Sequence, residues 1–213
     1  MRKTFDAELT ELGTQLTEMA ATAQDAIDLV TASLSRGEEN GAKAAIALTG
    51  SMDQMEKDIE NKCMSLLMRQ QPVARDLRTI SAAMKMVTDL QRIGDQAMNI
   101  AEISLLMAGD GKKTEVPEDI VTMSRQAGMM VRRAIGAYAE KDPVTARGVM
   151  AQDDVVDALF VQVKQELTER IAAREDHSDR AVDLIIIAKY LERVADHAVN
   201  IAQWAIFCVT GQL

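Results

Sequence analysis

The stretch DLQRIGDQAMNIA, at Asp89 to Ala101, returns in altered form as YLERVADHAVNIA at Tyr190 to Ala202, an offset of 101 residues. A chain that carries one segment twice at a fixed offset is assembled from repeated supersecondary units, and its fold must accommodate both copies in equivalent places. The same offset lays GAKAA at 41–45 against DPVTA at 142–146. The segments between these anchors match better after a three-residue shift, which pairs Asp53 with Asp157 and reads as a difference in loop length. MAGDGKKTEVP at 107–117 is then the junction between the two copies.

Punctuation divides each copy into three. The three prolines, Pro72, Pro117 and Pro143, fall between apolar-periodic stretches, and RGEENG at 36–41 and REDHSD at 174–179 are polar and turn-like. The stretches left over span about 3–35, 41–70, 75–108, 118–140, 143–173 and 177–209. Leu77, Ile80, Met84 and Val87 recur at steps of three and four, as do Leu184, Ala188, Leu191, Val194, Ala198 and Ile201. That is helical periodicity, and no segment sustains the two-residue alternation of a strand. Asp142 before Pro143 has the form of an N-cap followed by proline in the first turn. Aromatics at 3% and 14 methionines suit packed helices better than a sandwich of sheets. The expected fold is all-α: six long antiparallel helices in two tandem three-helix bundles, over residues 1–110 and 116–213.

Charge narrows the function. The net charge is −9, with no basic run, which argues against binding nucleic acid through phosphate neutralisation and against a polybasic membrane contact. The apolar runs LIIIA and AIFCV are far too short to span a bilayer, and MRKTFDAELTEL lacks a signal-peptide core. Cys63 and Cys208 read as buried thiols in a reducing compartment, so a cytosolic protein is expected. There is no phosphate-cradling Gly-rich loop, no nucleophile elbow and no Cys–His pattern, and two histidines give acid–base catalysis little to work with. The chain is expected not to be an enzyme.

The repeated helix carries a polar stripe. Glu192, Asp196 and Asn200 are spaced i, i+4, i+8 on one face, and Gln91, Asp95 and Asn99 repeat it in the first copy. Leu191, Val194 and Val199 flank the stripe, so it is expected to border the core. Carboxylates at i, i+4 repel unless a cation lies between them. Asp153 and Asp157 on the fifth helix form a second such pair, and two helices offering two pairs would make an oxygen site for a hard cation or iron. In the first copy Thr49 precedes Asp53 and Gln91 precedes Asp95, so each pair there has lost its first acid. A second reading stands beside this one: acidic pairs fall at this spacing on any solvated helix, and a repeated stripe can equally serve hydrogen bonds between helices. Asn99 and Asn200 look like buried amides that fix helix register, His197 like a packed or surface residue rather than a ligand, and His177 like a loop residue that caps the sixth helix. No E-x-x-H motif of the di-iron carboxylate oxidases occurs.

DLQRIGDQAMNIAE and YLERVADHAVNIAQ resemble the paired signature helices of the PhoU family of phosphate-uptake regulators, and RQQPVARDLR at 69–78 is similar to that family's stretch after its second helix. FDAELTEL at 5–12 resembles its N-terminus, so the resemblance covers the whole chain. It implies two three-helix bundles and a cytoplasmic regulator that represses phosphate uptake and the starvation response when phosphate is plentiful. The implied partners are the ATPase subunit of the Pst phosphate transporter and a PhoR-type sensor histidine kinase, which would recruit the protein to the inner face of the membrane without inserting it. The resemblance also implies metal binding through E/D-x-x-x-D motifs, with iron, zinc, magnesium or another divalent cation held by carboxylates. Those motifs fall on Asp153, Asp157, Glu192 and Asp196 in the second copy, and in reduced form on Asp53 and Asp95 in the first. A metal-binding bundle with a storage or sensing role is the alternative function. Arg75 and Arg78, in QQPVARDLR, are candidates for a partner surface, against the simpler reading that Asp76 between them caps the third helix. Apolar helix ends such as AQWAIFCV suggest a homodimer, or a bundle end closed by Trp204 and Phe207.

Overall fold

The computed structural model describes residues 2–69, 72–109, 115–174 and 178–212. They form six helices: α1 (Arg2–Arg36), α2 (Glu39–Arg69), α3 (Ala74–Gly109), α4 (Glu118–Glu140), α5 (Pro143–Ala172) and α6 (Ser178–Thr210). Their ends follow local chemistry. Asp142 is extended at φ −105°, and its carboxylate accepts the Val144 and Thr145 amides at 2.9 and 3.2 Å while Pro143 opens α5. The Thr145 hydroxyl also donates to that carboxylate, and these bonds, the hydroxyl's first, hold the Asp142 carboxyl below its ordinary range. Gly37 and Gly211 end α1 and α6 at φ +66° and +77°, a region glycine enters without strain. The α1–α2 turn is tied by the Ser33 hydroxyl, which donates to the Glu38 carbonyl and accepts the Ala42 amide at 3.2 Å.

Within α1–α3, and again within α4–α6, every helix touches the other two; α3 packs on α6 and α1 on α4 to join the halves. α2 and α5 are therefore outer helices, while α1, α3, α4 and α6 form the middle. Burial tracks this. α3 and α6 bury broad faces, Ile80 to Ala101 and Leu184 to Ala205, many of them alanines that let the helices approach closely. α5 buries a narrow seam of Ala146, Val149, Val156, Val163 and Leu167 at steps of three, four and seven. α2 matches it with Ala42, Ala45, Thr49, Met52, Ile59, Cys63 and Leu66. Ala42 thus stands with Ala146, so the 104-residue register holds from the first turn of α2, and the alignment of 41–45 with 142–146 is one of sequence alone.

The two cysteines are buried and free, and burial first, then the charge of Glu60, pushes the Cys63 thiol up to about 12. Trp204 and Phe207 meet edge to face, their centroids 5.5 Å apart, beside the end of α6. Among the described residues no helix is long and apolar enough to cross a membrane.

Candidate functional site

The seam of α5 explains why its acids are unusual. Asp153 lies four residues after Val149 and three before Val156, so a carboxylate occupies a line otherwise apolar. The residue is half-buried, its Oδ1 is shut from solvent with no hydrogen-bond partner, and its carboxyl is pushed up to about 6. Burial is the largest cause; the charges of Asp157, Asp196, Asp154 and Glu192 follow. Asp196 is raised too, by burial first and then by Glu192. Asp196 stands at the exposed rim of the face, beside Glu192. The structure thus brings Asp153, Asp157, Glu192 and Asp196 together on the α5–α6 face. Lys189 faces them: it pairs with Glu192, its ammonium 5.3 Å from the centre of the Phe160 ring.

The equivalent α2–α3 face is built differently. The Gln91 amide donates to Asp53 Oδ1 at 2.6 Å, so the residue that replaces Glu192 supplies a hydrogen bond where an acid would repel. Its Oε1 is buried without a partner. Thr49 is 5% exposed and turns its hydroxyl to the Ile46 carbonyl, 3.0 Å away. Asp53 and Asp95 do converge: the Asp95 carboxyl is raised by burial and then by Asp53, against Arg92 and His197. Glu56, which the stripe reasoning missed, belongs here. Its carboxyl is raised by burial, then by Glu60, Asp53 and Asp95. The signal was available, since Glu56 falls on the seam between Met52 and Ile59, where Phe160 stands in the second copy.

Both faces offer only oxygen ligands, which suits a hard cation or iron, and the Asp153 Oδ1 lacks a hydrogen-bond partner. Among the described residues, however, no three Asp, Glu, His or Cys side chains are gathered closely enough to hold an ion as they stand. The chemistry fits a divalent cation, and its ligands would have to draw in around it.

The stripe's other members join the repeats. His197 Nδ1 lies 2.9 Å from Asp89 Oδ1, and the Asn200 amide donates to the same oxygen at 3.2 Å, tying α6 to α3. Asn200 therefore joins helices, and of the two readings of His197 the packed one holds; Asp89 as their partner was not foreseen. His177 lies outside the described residues.

At the start of α3 the carboxylate of Asp76, 3% exposed, accepts the Val73 amide at 3.2 Å, which is the capping role. Arg75 beside it is exposed. Arg78 is half-buried, its Nε shut from solvent without a partner, and it lies along the end of α6 where a Cβ on Gly211 would come 3.6 Å from its Cδ. Around this turn Met64, Met68, Val73 and Leu77 are 46, 75, 57 and 42% exposed, two apolar pairs at i, i+4 on either side of the bend.

The family model for the PhoU domain matches residues 16–104 and 120–205, one segment in each half. A phosphate-specific transport system accessory protein PhoU homolog from Clostridium acetobutylicum is 33% identical over 212 residues, covering 99% of this chain and 96% of the relative. Its counterpart from Aquifex aeolicus is 35% identical over 206 residues, covering 97% and 93%. The crystal structure of PhoU from Pseudomonas aeruginosa superposes with a TM-score of 0.92 at 29% identity, covering 98% of this chain and 100% of that one. With two copies of the fold, each carrying the signature helix, and likeness along nearly the whole length, the chain belongs to the PhoU domain family.

Proposed function

We propose that this protein regulates phosphate uptake and phosphate homeostasis as an accessory protein of a phosphate-specific transport system. The observation that carries the reading is end-to-end similarity to relatives named for that role, over 99% of this chain and 96% of the first of them. In this reading it is a non-enzymatic cytoplasmic adaptor between the Pst ATPase subunit and a PhoR-type sensor kinase, recruited by them to the inner face of the membrane, and it represses the starvation response. The exposed apolar pairs at the α2–α3 turn, with Arg75 at their edge, support a protein contact there; Arg78, laid against Gly211, would steady that end of α3. The test is a deletion strain carrying a reporter of phosphate-responsive genes. Expression under phosphate excess is expected; genes that stay silent refute the adaptor role, and pull-down of ATPase and kinase at high and low phosphate checks the partners.

A second reading has its own support. Four carboxylates around a buried, unpartnered oxygen would be relieved by a divalent cation, and the α5–α6 face is where we place it. Elemental analysis of protein purified without chelator, with Glu192→Ala and Asp53→Ala alongside, tests this. Metal lost with Asp53→Ala and kept with Glu192→Ala would contradict the placement.

A further inference from the structure

α1 and α4 pack antiparallel: Gln24 meets Gly128, and the hydroxyls of Thr31 and Ser124 bond to each other. α4 stops at Glu140, so the first turns of α1 run on past it. A cleft of about 570 Å³ opens there, between the start of α1, the start of α3 and the ends of α4 and α6. That is ample for a small metabolite and several times what a simple ion fills.

Its walls differ in chemistry. On the α1 side Thr10, Thr14 and Thr17 give their hydroxyl protons to the carbonyls of Asp6, Thr10 and Gly13 at 3.0, 3.2 and 2.9 Å. What they show the cleft is lone pairs, and Asp6 and Glu18, which also line it, add carboxylates. The opposite wall is made of donors: Arg75, Lys141 and the phenol of Tyr138. Tyr138 is 5% exposed and lines this wall, where its phenol O–H is a donor. Burial, then the Cys208 and Cys63 thiols, raise its pKa, so it keeps its proton and donates. Asp76 also borders the cleft, but its carboxylate already serves the Val73 amide, so side chains rather than the α3 terminus supply the positive character.

We propose that this cleft binds a small organic anion that also carries hydroxyl or amino groups, its anionic oxygens on Tyr138, Lys141 and Arg75 and its donors on the threonines and Glu18 of α1. The site is separate from the carboxylate faces and does not depend on the regulatory reading above. Isothermal titration of the full chain with glucose 6-phosphate, AMP, gluconate and glutamate tests it, with glucose and inorganic phosphate as incomplete probes. We expect at least one charged organic probe to bind with Kd below about 1 mM, and both incomplete probes to bind about tenfold more weakly or not at all. Whether the phosphate esters or the carboxylates bind identifies the source of the anionic group. Tyr138→Phe should weaken binding about fivefold and the exposed Lys141→Gln about tenfold, with Arg132→Gln, outside the cleft, unchanged. Should Tyr138→Phe unfold, Lys141→Gln decides alone. No binding by the four organic anions, inorganic phosphate binding as well as they do, or affinity indifferent to Lys141→Gln overturns the proposal.

Discussion

Asp153→Asn should make the metal-free protein more stable. In the folded chain the carboxyl titrates near 6 instead of 3.8, because burial and four neighbouring acids disfavour its charge. Were the whole shift expressed, the charged form would cost the fold about 3 kcal/mol at pH 7. The group is half-exposed, and solvent and counterions screen its acidic neighbours, so we discount this to about 1 kcal/mol. The asparagine keeps the shape and removes the charge. Urea unfolding in chelator should therefore show a gain of about 1 kcal/mol at pH 7, or about 2–4 °C in Tm. The sign fixes the pH window. A raised acid binds its proton more tightly in the folded state, so the penalty is full above pH 6 and fades as pH falls toward 3.8. The advantage of Asp153→Asn should be largest at neutral pH and shrink steadily as pH falls toward 3.8. A variant no more stable than wild type at pH 7, or a gain that does not change with pH, refutes the account of Asp153 as a strained charge.

Gly94→Ala places a Cβ 2.7 Å from the Sδ of buried Met52 and should destabilise by about 1–3 kcal/mol in urea titrations. The second copy holds Ala195 and Val156 at the equivalent positions, so adding Met52→Val should recover most of that loss. Gln91→Glu exchanges a 2.6 Å hydrogen bond to Asp53 for like-charge repulsion; a loss of about 1 kcal/mol is expected in chelator, shrinking when magnesium is added. His197→Ala removes the half-buried link to Asp89 and should cost about 1–2 kcal/mol, read as a lower urea midpoint with an unchanged slope.

The helices were legible because their determinants are local. Asp142 with Pro143, the polar turns and the three–four spacing of the apolar residues set their ends to within about two residues. The convergence of Asp153, Asp157, Glu192 and Asp196 was also within reach, since period and repeat together put α5 and α6 side by side with those acids on adjoining faces. What the sequence hid depends on partners far along the chain. Nothing near Asp89 announces that it meets His197, 108 residues away. Glu56 escaped because a carboxylate three residues after Asp53 reads as another solvated acid until the seam through Met52 and Ile59 is recognised. The cleft at Tyr138 is set by the unequal lengths of α1 and α4, and by which helices lie opposite each other.

The duplicated helix is a shared scaffold whose copies have taken opposite duties at their joint. Positions Asp89, His197 and Asn200 correspond, one repeat over, to Tyr190, Gln96 and Asn99. Only the first set makes the carboxylate-centred bond between α3 and α6. Gln96, at the place of His197, turns its amide back to the Arg92 carbonyl at 3.2 Å and leaves its Oε1 buried without a partner. The two-fold relation is thus broken at the joint as well as at the acidic faces, where Gln91 and Glu56 stand for Glu192 and Phe160. Three exchanges are matched on a neighbouring helix: Gln91 by Asp53, Gly94 by Met52, His197 by Asp89. Copying the α6 signature helix into the place of α3 would break all three matches at once, so the second copy cannot stand in for the first.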